Sequence, residues 1–102
     1  MFGLFVRFTC KDEDSARRFD RLVAETLPLI IDKEPGTLVY VSHFVDGEPL
    51  VRAFYELYTD RDAFEAHEEQ PHVKRFLEAR GEFLASVEVD WLSSQGGKGI
   101  PG

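Results

Sequence analysis

The sequence is poor in cysteine, in basic residues and in long apolar runs, and each shortage excludes a class of protein. A single cysteine, Cys10, cannot form an internal disulfide, so a small secreted domain held together by disulfides is excluded. The 12 Lys and Arg are outnumbered by 19 Asp and Glu, and the resulting net charge of −7 makes nucleic acid a poor partner. No apolar run approaches the roughly 20 residues of a membrane span.

The motifs of several common enzyme classes are missing as well. The sequence has no Gly-rich dinucleotide turn, no Gly-x-Ser-x-Gly elbow and no set of His, Cys and carboxylate residues at metal-ligand spacing. His67 and His72 lie on either side of a corner at Pro71, so they do not share the helical face that a metal-binding pair requires. Residues 1–7 have no basic segment before their apolar stretch and no cleavage site after it. We therefore expect a cytoplasmic protein without a metal.

Aromatic residues, in contrast, are abundant: the 102 residues include nine Phe, three Tyr and one Trp. A chain of this length makes one domain, and a domain this small buries only about two-thirds of the surface that its unfolded chain exposes. So large an apolar load indicates a surface that packs against a second chain.

The periodicity of the sequence predicts elements in the order β-α-β-β-α-β, with the second helix split in two. Alternating apolar residues predict strands, and apolar residues at helical spacing after polar caps predict helices. The predicted strands span residues 2–9, 37–45, 50–58 and 87–92, and the helices begin near Asp12, Asp60 and Pro71. Pro28 predicts a kink in the first helix, and the apolar stripe of the last helix extends to Leu84. This order is typical of a ferredoxin-like α+β domain with a four-stranded antiparallel sheet.

Both faces of the predicted sheet are apolar. In the second strand, for example, Tyr40 and Phe44 share one face and Val39 and Val41 share the other. Because helices cover only one face, we expect the other to pack against the same face of a second chain, giving a homodimer. We assign residues 1–92 to this single domain and the glycine-rich residues 93–102 to a flexible C-terminal tail.

The two histidines near the corner differ in their electrostatic setting. His67 lies near the C-terminal end of its predicted helix, where the helix dipole favours the cation. His72 lies in the first turn of the next helix, where the dipole favours the neutral ring, and a neutral histidine is the better general base near pH 7. The alternative is that His67 bonds a backbone carbonyl and His72 is solvated.

Other polar side chains also have a structural alternative to a functional role. Arg52 and Glu56 share one face of the third strand, so an ion pair between them is an alternative to catalysis. Trp91 is either a core residue or the wall of an apolar pocket with its indole nitrogen as a donor.

Residues 56–67, with the sequence Glu-Leu-Tyr-Thr-Asp-Arg-Asp-Ala-Phe-Glu-Ala-His, are followed by Pro71, His72 and Phe76, and this pattern resembles the antibiotic biosynthesis monooxygenase family. The Glu-Pro-Gly at residues 34–36 is similar to the family's tripeptide before the second strand. The likeness extends over residues 2–92. It implies a dimer of ferredoxin-like subunits whose sheets pack into a barrel, with a pocket in each subunit between sheet and helices.

The resemblance also implies a chemistry, because several members of the family are oxygenases that use no flavin, haem or metal. The implied function is a cofactor-independent monooxygenase that oxidises quinols, anthrones or related aromatic compounds, with molecular oxygen as co-substrate. His67 and His72 are then the residues expected to transfer protons. The side chains expected to bind the substrate are Tyr58, Trp91, Tyr40, Phe64 and Phe76.

Two other functions stay open at this point. One is an isomerase of a small phosphorylated signal metabolite, which resembles another branch of the family and needs a basic group at the pocket from Arg7, Lys74 or Arg75. The other is a non-catalytic dimeric module for binding or stress response.

Overall fold

The structure is a computed structural model, and it describes residues 1–100 as one antiparallel sheet with three helices on one of its faces. Its elements in chain order are β1 (Phe2–Cys10), α1 (Glu13–Lys33), β2 (Thr37–Val45), β3 (Glu48–Tyr58), α2 (Arg61–Glu69), α3 (Pro71–Arg80) and β4 (Leu84–Ser93). The strand order in the sheet is β2-β3-β1-β4. This arrangement confirms the predicted ferredoxin-like α+β fold, including the division of the second helix into α2 and α3.

Two strands begin earlier than predicted. β3 begins at Glu48 because Gly47, at φ 79°, closes a tight turn and lets Val45 pair at once with Glu48. β4 begins at Leu84, which pairs with Cys10 beyond a register shift at the end of β1. The length of each pairing is therefore decided by the partner strand and by the turn.

The last helix, in contrast, ends earlier than the apolar stripe predicted. The N–H groups of Glu82 and Phe83 bond back to the carbonyls of Ala79 and Arg80, which closes the helix in a tight turn. The Phe83 carbonyl accepts a hydrogen bond from the N–H of Lys11 at 3.0 Å. Phe83 is thus fastened to the end of β1 instead of continuing α3.

The longest helix, α1, has the cap and the apolar stripe that its sequence predicts. The Asp12 carboxylate accepts a hydrogen bond from the N–H of Ser15 at 2.7 Å, which satisfies one of the free amides of the first turn. The helix continues past Pro28 to Lys33. Its buried residues are Ala16, Phe19, Leu22, Val23, Thr26 and Ile30.

Large side chains fill the core between helices and sheet. Phe8 of β1, Phe19 of α1 and Phe54 of β3 are almost fully buried, and their ring centroids are 4.8 to 6.0 Å apart. Tilted and edge-on contacts at such distances are favourable for aromatic pairs. This cluster holds α1 against the centre of the sheet and leaves a cavity toward α2 and α3.

The other face of the sheet has no helix on it. Phe5 and Val41 lie on this face and are about two-fifths exposed, at 39% and 41%. The structure therefore confirms that apolar residues occupy both faces, while the homodimer expected from that pattern stays a prediction.

The end of the chain differs slightly from the predicted division. Ser93 belongs to β4 and pairs with Phe2, so the segment without helix or strand begins at residue 94. Positions 101 and 102 of the predicted tail lie outside the described residues. Within residues 1–100, none of the helices combines the length and the hydropathy that a membrane crossing requires.

Candidate functional site

A cavity of about 200 Å³ lies between the helices and the sheet, beside the aromatic core. Its wall includes apolar side chains from both layers, among them Leu4, Val6, Val73, Phe76 and Val89. Six polar residues also line it, namely Thr26, Tyr40, Glu56, His67, Glu68 and Arg80. An apolar cavity with a few convergent polar groups is the usual form of a small-molecule site.

His67 is the histidine of this cavity. It lies in the last turn of α2, is 5% exposed, and its Nδ1 lies 2.5 Å from Oε1 of Glu34. Nε2 of His67 has no hydrogen-bond partner among residues 1–100. Every fully buried side-chain nitrogen or oxygen in this range has a partner, so Nε2 is not fully buried. Nε2 is therefore the ring nitrogen that a molecule in the cavity can reach.

Glu34 is a buried acceptor shared by three donors. Besides His67, its carboxylate contacts the hydroxyl of Thr37 at 2.8 Å and Nε2 of His72 at 2.5 Å. Burial raises the pKa of Glu34, but hydrogen bonds from His67 and Thr37, the charge of His67 and the bond from His72 outweigh it and hold the pKa below its ordinary value. Glu34 is thus ionised near neutral pH.

The ionised carboxylate determines the tautomer of His67. A carboxylate only accepts hydrogen bonds, so Nδ1 of His67 must carry the hydrogen that it donates to Glu34. In the neutral ring, Nε2 then has the free lone pair and can accept a proton. The pair resembles in principle the carboxylate and histidine pairs that orient a general base in enzymes.

A glycine brings Glu34 close to α2. A Cβ placed on Gly36 would lie 2.7 Å from the Cβ of Ala63, which is closer than real side chains approach. The Gly36 carbonyl also accepts a hydrogen bond from the N–H of Thr59, just before α2. The Glu-Pro-Gly segment therefore packs directly on the helix that bears His67.

A second carboxyl group, that of Glu56, faces the cavity in a different state. The hydroxyl of Tyr58 donates a hydrogen bond to it at 2.6 Å, and Glu56 is 6% exposed. Burial raises the pKa of Glu56, and the hydrogen bond from Tyr58 and the nearby charges of His67 and Arg80 only partly offset the effect. Glu34 and Glu56 thus differ in the direction of their pKa shifts, as acid and base partners in active sites do.

The ion pair considered between Arg52 and Glu56 is wrong. Arg52 instead donates two hydrogen bonds to Asp20 of α1, at 2.7 and 2.9 Å. Residues four positions apart in a strand are separated by roughly 13 Å, which is too far for such a pair, whereas α1 brings Asp20 directly over Arg52.

Aromatic rings surround His67. The centroids of Tyr58, Tyr40 and Phe64 lie 5.2, 5.5 and 6.3 Å from the His67 ring. Trp91, which is 59% exposed, packs its ring against Phe64 at 5.6 Å and lines the cavity from β4. A flat aromatic molecule in this cavity would meet rings on several sides.

Five of the seven predicted site residues line the cavity: His67, Tyr40, Phe64, Phe76 and Trp91. The other two, His72 and Tyr58, lie behind it. His72 contacts the carboxylate of Glu34, and Tyr58 contacts that of Glu56. Both histidines bond the buried carboxylate of Glu34, whereas the structural alternative had His67 on a backbone carbonyl and His72 solvated.

Two residues of the site, Glu34 and Arg80, have no role assigned from the sequence pattern, and Glu56 was considered there only together with Arg52. The signal for Arg80 is present, since it is a charged residue at helical spacing within the apolar stripe of α3. The signal for Glu34 is its place just before Pro35 and Gly36, but its contacts lie 33 and 38 residues away and need the folded chain.

The basic residues considered for a phosphorylated substrate lie elsewhere. Arg7 pairs with Glu48 at 2.5 Å, Lys74 with Glu69 at 3.2 Å and Arg75 with Glu25 at 3.0 Å. In the part of the chain that the structure describes, no group of three or more His, Cys, Asp and Glu residues is arranged to hold a metal ion.

Comparison with known proteins places the chain in a protein family. The family model described as antibiotic biosynthesis monooxygenase matches residues 1–79. The chain belongs to the antibiotic biosynthesis monooxygenase family. This membership confirms the resemblance carried by residues 34–36 and 56–67. No curated protein matches the sequence.

Solved structures show the same fold. A "putative antibiotic biosynthesis monooxygenase" from Caulobacter crescentus has a TM-score of 0.86 at 23% identity, over 93% of this chain and 90% of that chain. Two further structures with the same description have TM-scores of 0.85 and 0.86. The one from Bacteroides thetaiotaomicron is 22% identical over 99% of this chain and 91% of its own. The one from Nitrosomonas europaea is 20% identical over 94% of this chain and all of its own, 100%.

Proposed function

We propose that this member of the family is a monooxygenase that oxidises a quinol or a related hydroxyaromatic compound with molecular oxygen, and that it does so without flavin, haem or metal. The observation that carries the proposal is His67, a buried histidine that Glu34 orients toward an aromatic cavity. A phenolic substrate needs a base to become an electron-rich phenolate, and His67 is in place to act as that base.

In the proposed reaction, Nε2 of His67 takes a proton from the substrate hydroxyl. The phenolate then passes one electron to oxygen, and the two radicals combine at a ring carbon. One oxygen atom stays on the ring and the other leaves as water, so the substrate supplies all the electrons and a quinol yields a hydroxyquinone. The apolar wall excludes water and the carboxylate of Glu34 stabilises the histidinium that forms.

The size of the cavity bears on the substrate. Pockets for drug-sized ligands have volumes of roughly 300 to 1,000 Å³, and this cavity, at about 200 Å³, is smaller. A quinol with one or two rings therefore fits the proposal better than a three-ring anthrone.

His72 enters the proposal through Glu34 and not through contact with the substrate. Its Nε2 contacts the second oxygen of the carboxylate that holds His67. When His67 takes up a proton, His72 and Thr37 keep the carboxylate ionised and in position. His72 is thus proposed as a positioning residue in proton transfer.

The proposal is tested by oxygen uptake with a panel of hydroquinones, naphthohydroquinones and anthrones. His67→Asn keeps a polar side chain that has an N–H donor but no titratable nitrogen, and we expect a loss of roughly a hundredfold or more in kcat. His43→Asn, in an exposed histidine of β2, is the matched control and should retain full activity. Absence of oxygen uptake with every compound, or equal activity of the His67 variant, would overturn the proposal.

A homodimer formed through the open face of the sheet is part of the same proposal, supported by the exposed Phe5 and Val41. A cytoplasmic location is proposed as well, on the single cysteine.

The isomerase remains a second candidate because of one observation, the cationic side chain of Arg80 on the cavity wall. A phosphorylated substrate needs a cation of this kind. Conversion of such a substrate under argon, with no oxygen uptake toward any quinol, would favour the isomerase.

A further inference from the structure

Arg80, the last residue of α3, is a cation on the cavity wall. Its guanidinium lies over the ring of Phe8, 5.6 Å from the centroid. Among residues 1–100 it forms no ion pair or side-chain hydrogen bond with a carboxylate. A cation over an aromatic face gains some stabilisation, but less than a bidentate carboxylate would give.

Arg52 differs from Arg80 because it has a carboxylate partner. Arg52 is buried, whereas Arg80 is only partly buried, and Arg52 is held by two hydrogen bonds to Asp20. Burial lowers the pKa of Arg80, and the nearby Tyr40, Glu56 and Glu68 raise it without cancelling that effect. Arg80 is therefore a partly buried cation that makes no bidentate contact with a carboxylate among residues 1–100.

The two carboxyl groups that line the same cavity do not take this place. Glu56 accepts a hydrogen bond from the hydroxyl of Tyr58 on one of its oxygens and forms no ion pair with Arg80, and burial raises its pKa. Glu68 is exposed on α2 and likewise forms no ion pair with Arg80. Among residues 1–100 the guanidinium therefore has no ion-pair partner, which leaves its place open to an anion from a ligand.

We propose that Arg80 binds a carboxylate substituent of the substrate, so that the natural substrates are hydroxyaromatic carboxylates. This rests on the proposed function, because it takes the ring of the substrate to lie in the cavity beside His67. A guanidinium and a carboxylate form two parallel hydrogen bonds in one plane.

A single arginine suits a carboxylate better than a phosphate. A phosphate carries up to two negative charges. Arg80 would balance only one of them, while Glu68 and the net charge of −7 would repel the phosphate. A carboxylate carries one charge and uses the paired donors of one guanidinium. With its carboxylate on Arg80, a ring of this kind can present a hydroxyl group to His67.

The test measures binding under argon, where no oxidation occurs, by isothermal titration calorimetry. The probes are gentisate, which is a hydroquinone carboxylate, its methyl ester, which has the same ring without the charge, and phenyl phosphate. The variants are Arg80→Gln and Arg80→Lys, with Arg21→Gln as the control in an exposed arginine of α1. Thermal unfolding verifies that each variant is folded.

We expect the wild-type protein to bind gentisate at least about tenfold more tightly than the ester, as a charge-assisted hydrogen bond provides. Arg80→Gln should remove this preference by weakening gentisate alone, Arg80→Lys should restore part of it, and Arg21→Gln should leave it unchanged.

Equal affinity of the wild-type protein for acid and ester, binding of neither, or equal weakening of both by Arg80→Gln would overturn the inference. Tighter binding of phenyl phosphate than of gentisate would overturn the choice of a carboxylate. A preference for gentisate that depends on Arg80, together with no oxygen uptake, would refute the monooxygenase proposal and leave this inference standing.

Discussion

Glu34 accepts hydrogen bonds from two histidines of two different helices, and it is the residue on which the site depends most. Its side chain is 3% exposed, so an ionised carboxylate here is stable only because its donors replace water. Glu56, on the sheet side of the cavity, has one donor and a raised pKa. Two buried carboxyl groups of one small domain thus respond to pH in opposite directions.

We predict that Glu34→Gln lowers the free energy of unfolding at neutral pH by about 1 to 3 kcal/mol, because two histidines lose their ionised acceptor. The pKa of Glu34 is below its ordinary 4.5, so its contribution is present above that pH and is lost as the pH falls through the folded value. The difference between wild type and variant should therefore shrink in acid, as urea unfolding at several pH values would show. Glu82→Gln, in an exposed residue, serves as the control; an effect independent of pH would contradict the assignment.

Glu56→Gln should have the opposite signature. The pKa of Glu56 is above its ordinary 4.5, so its stabilising contribution is complete below that pH and is lost as the pH rises through the folded value. Glutamine keeps an acceptor for the Tyr58 hydroxyl and carries no charge. At neutral pH we expect unchanged stability or a gain of up to about 1 kcal/mol in the same unfolding measurement. A clear loss of stability at neutral pH would show that the ionised form is the one that the fold requires.

At the scale of elements, the segment between α1 and β2 and the helix α2 form the site together. The carboxylate is on the first and the base is on the second, and Gly36 permits their contact by leaving room for Ala63. Elsewhere the elements are joined by ordinary strand pairing and by the aromatic core. Precise placement of His67 therefore depends on one close approach between a loop and a helix.

We predict that Gly36→Ala destabilises the protein by about 1 to 3 kcal/mol and also weakens the contact between Glu34 and His67, because the added methyl group would overlap Ala63. Thermal unfolding and oxygen uptake measure the two effects. Gly81→Ala is the matched control: its Cβ would meet nothing within 4 Å and its φ is −59°, so stability should be unchanged or slightly higher. Equal effects of the two substitutions would show that packing on α2 is not the cause.

At the scale of the whole molecule, the sheet has helices on one face and apolar side chains on both. Phe5 and Val41 on the open face are about two-fifths exposed. A net charge of −7 opposes non-specific association, so we expect a dimer to form through this apolar surface.

We predict that the protein sediments at micromolar concentration as twice its 11.7 kDa, and that Val41→Glu shifts it to the monomer by placing a charge in the interface. Ile31→Glu is the control, because Ile31 is 82% exposed on α1, away from the sheet. A stable 11.7 kDa species for the wild-type protein, or dissociation by both substitutions, would contradict the prediction.

The sequence by itself determined the order of the elements, the fold class and five of the residues that line the cavity. These features follow from local periodicity, from caps such as Asp12 and from turns such as Gly47, which act over a few residues. The family resemblance assigned His67, Phe64 and Phe76 to the site, and periodicity placed each of them on the apolar side of a predicted helix. The family motif at residues 56–67 added the chemistry.

Only the tertiary structure decided which polar groups meet. Glu34 and His67 are 33 residues apart in the chain, and Arg52 contacts Asp20 across 32 residues instead of Glu56 on its own strand. Such contacts depend on how a helix lies over a sheet, and periodicity carries no information about that placement. The same holds for Arg80. The sequence shows it as a charge in an apolar stripe, but only the folded chain shows that it lines the cavity without an ion pair among residues 1–100.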